Sequence, residues 1–297
     1  MVAWIGAAAG GLPAQTATDQ PEEPAFRATV EVVNVLCTVR RGAKYITTLG
    51  RDDFELYEDG VRQEIQYFAL ESGEDAQPLN VVLLVDTSGS VKDKLMFEQE
   101  AAALFFRETL RPRKDLAAVV QFDSEINLVQ DFTDSLSLLE RSIGGIRAGG
   151  ATKLYDAVWL ATEDLLRHQV GRRVIVVLSD GDDTQSDIKD QEAITVAQQR
   201  DVMIFAVGVR SDRARSNFGK LKEFARETGG FFVDSKVRLD ELRDAFARIN
   251  EAIKNQYSLG YVSSNQKRDG SFRQIEVRLR DRNLKVAHRK GYYAPSS

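Results

Sequence analysis

Five consecutive apolar residues, Val81-Val82-Leu83-Leu84-Val85, run without a break into Asp86. No other junction constrains the chain as much. A strand that is apolar at successive positions has no face to offer to water, so it must lie inside a sheet that is covered on both sides. A second run, Val174-Ile175-Val176-Val177-Leu178, leads in the same way into Ser179-Asp180. Around these runs the chain alternates strand and helix patterns. Lys94 to Leu110 has helical spacing and is closed by Pro112, and Leu116–Phe122 with Ile126–Gln130 reads as a hairpin. Leu154–Arg167, Ile188–Gln199, Phe218–Thr228 and Leu239–Ile253 read as helices, with strands at Val202–Val209 and Phe231–Val233. Repeated β–α units of this kind predict an α/β fold with a doubly wound, mostly parallel sheet.

The two ends of the chain have a different texture. From Phe26 to about Glu71 the period is close to two, with Val30, Val32, Val35, Cys37 and Val39 alternating with polar residues. The irregular step at Val33-Asn34 suggests a bulge. Phe54–Glu58 and Val61–Phe68 flank Asp59-Gly60, a two-residue hairpin signal because both turn positions favour positive φ. Near the other end, Arg273, Ile275, Val277 and Leu279 alternate with polar neighbours, and Asp281-Arg282-Asn283 turns the chain into Leu284–His288. About 45 residues rarely make a self-sufficient β-sandwich, so the two ends are expected to pair into one. The expected organisation is a leader and linker over 1–25, a β-sandwich-like domain built from 26–75 plus 255–294, and an inserted α/β domain over 78–254.

In an open α/β sheet, ligands bind where strands end at the carboxyl edge. Three loops there carry oxygen donors: Asp86-Thr87-Ser88-Gly89-Ser90, Gly149-Gly150-Ala151-Thr152 and Ser179-Asp180-Gly181-Asp182-Asp183. Together they offer Asp86, Ser88, Ser90, Thr152 and Asp180, an all-oxygen set suited to a hard divalent cation such as Mg²⁺, Mn²⁺ or Ca²⁺. The hydroxyl residues could equally cap helices, but capping does not account for two acids at paired strand ends. Asp182 and Asp183 read as solvated loop acids, Asp156 as a support for the loop or a first-turn acid, and Arg210, Arg213 and Arg215 as solvated charges. Cys37 is the only cysteine, which excludes Cys-based zinc and iron–sulfur sites, and His168 and His288 are too few for a His-rich centre.

D-T-S-G-S after a buried strand, G-G-A-T-K-L-Y-D-A and V-I-V-V-L-S-D-G-D-D resemble the three loops of a von Willebrand factor type A domain. The resemblance implies a six-stranded sheet, five strands parallel and one antiparallel at the edge, and a metal-ion-dependent adhesion site (MIDAS). In that site Ser88, Ser90 and Thr152 coordinate the ion directly, while Asp86 and Asp180 act chiefly through water. The flanks F-E-L-Y-E-D-G-V-R-Q-E-I, Q-Y-S-L-G-Y and H-R-K-G-Y-Y-A-P are similar to those of von Willebrand A-related proteins of acidobacteria.

Net charge is −5, from 40 Lys and Arg against 45 Asp and Glu, so there is no basic excess to recruit nucleic acid. No apolar run reaches the roughly 18 residues of a membrane-spanning helix. Met1–Ala14 is nearly all small and apolar, and Leu12-Pro13-Ala14 resembles the end of an export signal, although the Lys or Arg that usually opens one is missing. Secretion or a place in the cell envelope is expected. The expected function is non-enzymatic: an adhesion or binding module that recognises a protein partner through a cation completed by the partner's Asp or Glu carboxylate. One alternative is a Mg²⁺-dependent haloacid-dehalogenase-like phosphatase with Asp86 as nucleophile, for which Ser88 stands where a second acid is wanted. The other is a structural scaffold in which the metal only steadies a loop.

Overall fold

The computed structural model describes residues 32–73, 75–88, 95–147, 149–210, 217–236 and 238–296. The expected leader, Gly89, Ser90, Arg213 and Arg215 lie outside the described residues. The chain opens with β1 (Val32–Arg41), β2 (Lys44–Tyr45), β3 (Phe54–Glu58), β4 (Val61–Gln63) and β5 (Tyr67–Leu70). The α/β part follows as β6 (Leu79–Asp86), α1 (Leu95–Thr109), β7 (Leu116–Phe122), β8 (Ile126–Thr133) and α2 (Leu136–Gly145). It continues through α3 (Leu154–Leu160), β9 (Arg172–Ser179), α4 (Asp190–Gln199), β10 (Val202–Arg210), α5 (Gly219–Thr228), β11 (Phe232–Lys236) and α6 (Leu239–Lys254). Four strands finish the chain: β12 (Gln256–Val262), β13 (Phe272–Leu279), β14 (Lys285–His288) and β15 (Gly291–Tyr293).

Six strands form the central sheet in the order β11-β10-β9-β6-β7-β8, all neighbours parallel except β7 and β8. Every residue of β6 is buried, as its unbroken apolar run requires. One face packs on α1, α2 and α6 through Leu83, Val176, Phe105, Phe106 and Phe246; the other packs on α3, α4 and α5 through Leu84, Val177, Ala157 and Phe224. From β6 the chain builds outward on one side through β7 and β8, and from β9 on the other through β10 and β11. The strand order therefore reverses between β6 and β9, and that is where an open α/β sheet forms its ligand crevice.

Strands from both ends share two further sheets. One has the order β14-β1-β12-β5 with β2 beside β1, and the other β15-β13-β3-β4. Val35, Cys37, Leu56, Tyr257, Tyr261, Ile275 and Val277 pack into one apolar cluster that draws on both sheets. Cys37 is fully buried there, and burial raises its thiol pKa.

Several local features differ from expectation. No bulge interrupts β1 at Val33-Asn34: the ladder runs regularly from Val32↔Val262 to Thr38↔Gln256. The inward phase is Val33, Val35, Cys37 and Val39, which leaves Val32 55% exposed and outside the pattern. The hairpin over Asp59-Gly60 forms with φ of +48° and +80°, but its second arm is not one strand. It breaks after Gln63, and the chain crosses to pair as β5 with β12 in the other sheet, guided by Gln66 N–H donating to the Gly260 carbonyl (2.8 Å). β13 and β14 divide in the same way, β13 pairing with β3 and β14 with β1. Helix α2 is an addition to the expected elements, and Leu139 and Ile143 on it are buried. The expected helix Leu154–Arg167 changes to π geometry over Ala161–Leu166, where Thr162 Oγ1 donates to the Val158 carbonyl (2.8 Å). Arg273, on the apolar face of β13, is buried and ion-paired with Glu58.

Candidate metal centre

Val85 pairs with Leu178, so Asp86 and Ser179 leave adjacent strands side by side. Asp86 is 0% exposed. Its Oδ1 accepts from Ser88 N–H (2.9 Å), a local turn that bends the loop back over the strand end, and its Oδ2 accepts from Ser179 Oγ (2.6 Å). Ser179 Oγ in turn accepts from Gly181 N–H (3.0 Å), which holds the start of the second loop. Asp180, next to Ser179, is 5% exposed, and Ser88 and Thr152 are 4% exposed each. Gly181 has φ of +89° and carries the backbone so close to Asn217 that a Cβ would lie 2.5 Å from its carbonyl oxygen.

The glycine-led loop is tied to both of the others. Gly149 N–H donates to the Thr87 carbonyl (2.6 Å), and Thr87 Oγ1 donates to Asp123 Oδ2 (3.1 Å) at the end of β7. Gly150 has φ of +90° and sits where a Cβ would lie 2.7 Å from Ser124 Oγ, so a side chain there would push the β7 loop away. The Thr152 carbonyl accepts from Thr184 N–H (2.9 Å) and Gln185 N–H (3.1 Å), and its own N–H donates to Thr184 Oγ1 (3.0 Å).

Of the neighbouring acids, Asp183 differs from expectation, and Asp156 supports the loop as one of its two readings has it. Asp183 is half-buried rather than a solvated acid, and its Oδ2 accepts from Tyr155 N–H (3.1 Å), which caps the start of α3. Asp156 accepts from the backbone N–H groups of Asp187 (3.0 Å) and Ile188 (3.1 Å), pinning the second loop to α3. Asp182 is exposed. Arg210 pairs with Asp234.

Burial pushes the Asp86 carboxyl up to about 6, against the lowering effect of its Ser179 and Ser88 hydrogen bonds, and the Asp180 charge pushes it further up. No Lys or Arg among the described residues pairs with Asp86. Among the described residues, no group of three or more His, Cys, Asp or Glu gathers as a metal site. The cluster is instead two carboxylate residues with hydroxyl residues on the neighbouring loops. Hard divalent cations select all-oxygen donors of this kind, and a carboxylate buried without a cationic partner is destabilised unless a positive charge joins it. The donor set therefore fits such an ion: Asp86, Ser88, Thr152 and Asp180 would hold it, with Ser90 outside the described residues.

Ser179, Thr184 and Asp123 were not anticipated from sequence. Ser179 adjoins Asp180 in sequence, but only the β6–β9 register reveals that it faces Asp86.

The chain matches the family model described as von Willebrand factor type A domain over residues 80–248. Inter alpha-trypsin inhibitor, heavy chain 4, of Mus musculus is 26% identical over 203 residues, covering 62% of this chain and 21% of that protein. The alignment thus spans about a fifth of that relative's length. A von Willebrand factor type A structure from Catenulispora acidiphila superposes with a TM-score of 0.53 at 13% identity, covering 82% of this chain and 74% of that one. Proximal thread matrix protein 1 from the mussel byssus, solved with a zinc-occupied MIDAS motif, gives a TM-score of 0.53 at 15% identity, covering 64% and 48%. Among the described residues no helix is long and apolar enough to cross a membrane.

Proposed function

The chain belongs to the von Willebrand factor type A family, and from that premise we propose that this protein-interaction module works through a divalent cation. Ser88, Ser90 and Thr152 coordinate the ion directly, Asp86 and Asp180 act chiefly through water, and a partner's Asp or Glu carboxylate completes the shell. The observation that carries this reading is the buried carboxylate of Asp86, beside Asp180 and hydrogen-bonded to Ser88 N–H, with Thr152 buried on the neighbouring loop. Neutral direct donors leave the cation electrophilic, so it favours a negatively charged ligand from outside. The mussel protein of the same fold holds zinc at its MIDAS motif, which supports a divalent metal here and leaves Mg²⁺, Mn²⁺ and Ca²⁺ to be distinguished by titration.

The same reading makes the protein a binding module rather than an enzyme, because Ser88 occupies the place of the second acid that a phosphatase would use. It places residues 26–75 and 255–294 in one β-sandwich-like domain with residues 78–254 inserted, supported by the shared ladders of β1 with β12 and β3 with β13. It also places the protein in the cell envelope or outside the cell, supported by the apolar stretch Met1–Ala14.

Thermal unfolding with each metal tests the site. A cation at 100 times its Kd stabilises the fold by about 2.7 kcal/mol. Mg²⁺ or Mn²⁺ should raise the melting temperature, EDTA should reverse the rise, and Thr152→Ala should weaken it. A melting temperature indifferent to all three metals would remove the site. A partner captured equally well with and without EDTA would favour the scaffold reading instead.

A further inference from the structure

A second polar cavity lies at the opposite end of β9 from the candidate metal centre. Strand β9 runs from Arg172 to Ser179, eight residues or roughly 26 Å of chain, so the two places are far apart. The cavity measures about 180 Å³ and is walled by the start of β9, the α4–β10 connection, and Asn34 and Arg289 from the end sheets.

Its charges are lopsided. Arg172, Arg173 and Arg289 line it, against one lining carboxylate, Asp201. Arg289 is committed to Asp201 through Nη1 and to the Asn34 carbonyl through Nη2 (2.7 Å). Among the described residues Arg173 donates to main-chain carbonyls, those of Gln169 (2.9 Å) and Arg200 (2.7 Å), and no acid pairs with it. Arg172 is 4% exposed; its Nη1 donates to the Ile253 carbonyl (2.7 Å) and Gln256 Oε1 (3.1 Å), and Glu71 approaches its Nε only to 3.8 Å. The Nε atoms of Arg172 and Arg289 are buried without a hydrogen-bond partner. Counting Glu71 behind the wall, three guanidinium groups still face two carboxylates. Unsatisfied buried guanidinium donors are costly, and a planar or tetrahedral oxyanion satisfies them in their own geometry.

We propose that this cavity binds a compact oxyanion, a small carboxylate or a phosphate, between the parallel sheet and the sheet built from the chain ends. Size sets the class: a cavity of about 150 Å³ accommodates benzene, whereas drug-sized ligands occupy about 300 Å³ or more. A ligand of a few carbon atoms or a free phosphate fits, and a nucleotide does not.

Isothermal titration of the full chain with inorganic phosphate and, separately, with succinate tests this, with ionic strength held constant by NaCl and EDTA present so that the cation site plays no part. Saturable binding of at least one probe is expected. Arg173→Gln should weaken it about tenfold, as loss of one partly buried charge implies. Asp201→Asn should tighten it severalfold by removing the competing carboxylate, and Asn tolerates the φ of +58° found there. Should Arg173→Gln fail to fold by circular dichroism, Asp201→Asn alone decides. Phosphate binding without succinate binding assigns the phosphate class, and the reverse assigns the carboxylate class. No saturable binding of either probe, or binding that neither variant changes, overturns the proposal.

Discussion

Replacing Asp86 by Asn should make the metal-free protein more stable, although it removes a residue of the candidate site. Burial raises this carboxyl from 3.8 to about 6, which at neutral pH amounts to about 3 kcal/mol of disfavoured ionisation. The side chain is wholly buried, so solvent screening does not reduce that figure. Asparagine keeps the acceptor for Ser88 N–H but offers an N–H₂ where Ser179 Oγ now donates, a mismatch of about 1 kcal/mol. The net gain is about 2 kcal/mol, or a rise in melting temperature of roughly 4–8 °C for a domain of this size. The sign of the pH dependence follows from the folded-state value lying above the unfolded one. The penalty is absent below about pH 4 and grows as pH rises through about 6, so metal-free wild type should lose stability across that window and Asp86→Asn should not. Differential scanning calorimetry in EDTA between pH 4.5 and 7.5 reads both effects. A variant less stable than wild type at pH 7.5, together with parallel pH profiles, would show that Asp86 carries no ionisation penalty. Cation-induced stabilisation that survives the substitution undiminished would show that Asp86 does not serve the cation.

Other positions give independent outcomes. His288 is held neutral by burial, with its Nδ1–H facing the Arg289 carbonyl (2.6 Å) and Nε2 accepting from Val277 N–H (3.2 Å). Its depressed folded-state value means that stability present above about pH 6.5 is lost as pH falls, and His288→Gln should flatten that loss in chemical denaturation. Glu58 accepts from Tyr261 (2.7 Å), Tyr292 (2.9 Å) and Ser263 (2.6 Å) and pairs with buried Arg273. Glu58→Ala strands that charge and should cost about 3–5 kcal/mol by urea titration. At Gly171, φ is +105° and a Cβ would lie 2.3 Å from the Pro78 carbonyl oxygen, so Gly171→Ala should lower the melting temperature well beyond the loss expected of a surface substitution.

The central sheet was legible because unbroken apolar runs such as Val81–Val85 and Val174–Leu178 admit few other placements. The loops were legible because Asp86 ends the first run directly and Asp180 follows the second after a single Ser179. The remaining contacts depend on register or on the backbone. Ser179 acts on Asp86 across two strands, Asp183 caps a helix 28 residues before it, and Asp123 meets Thr87 only because β7 lies beside β6. In the end sheets, alternation marked the strands but not their allegiance, since a period of two looks the same whichever sheet a strand joins. The break after Gln63 and the split between β13 and β14 are decided by which partners lie opposite. Arg273 follows the inward phase of β13 against its polarity, and only its neighbour Glu58 explains why.

An anomalous difference map from crystals of the full chain soaked in Mn²⁺ would locate the cation itself. One dominant manganese peak is expected within bonding reach of the Ser88, Ser90 and Thr152 hydroxyls, with Asp86 and Asp180 around it and one coordination position facing solvent. Manganese bound elsewhere while these five side chains stay bare would contradict the cation-dependent reading.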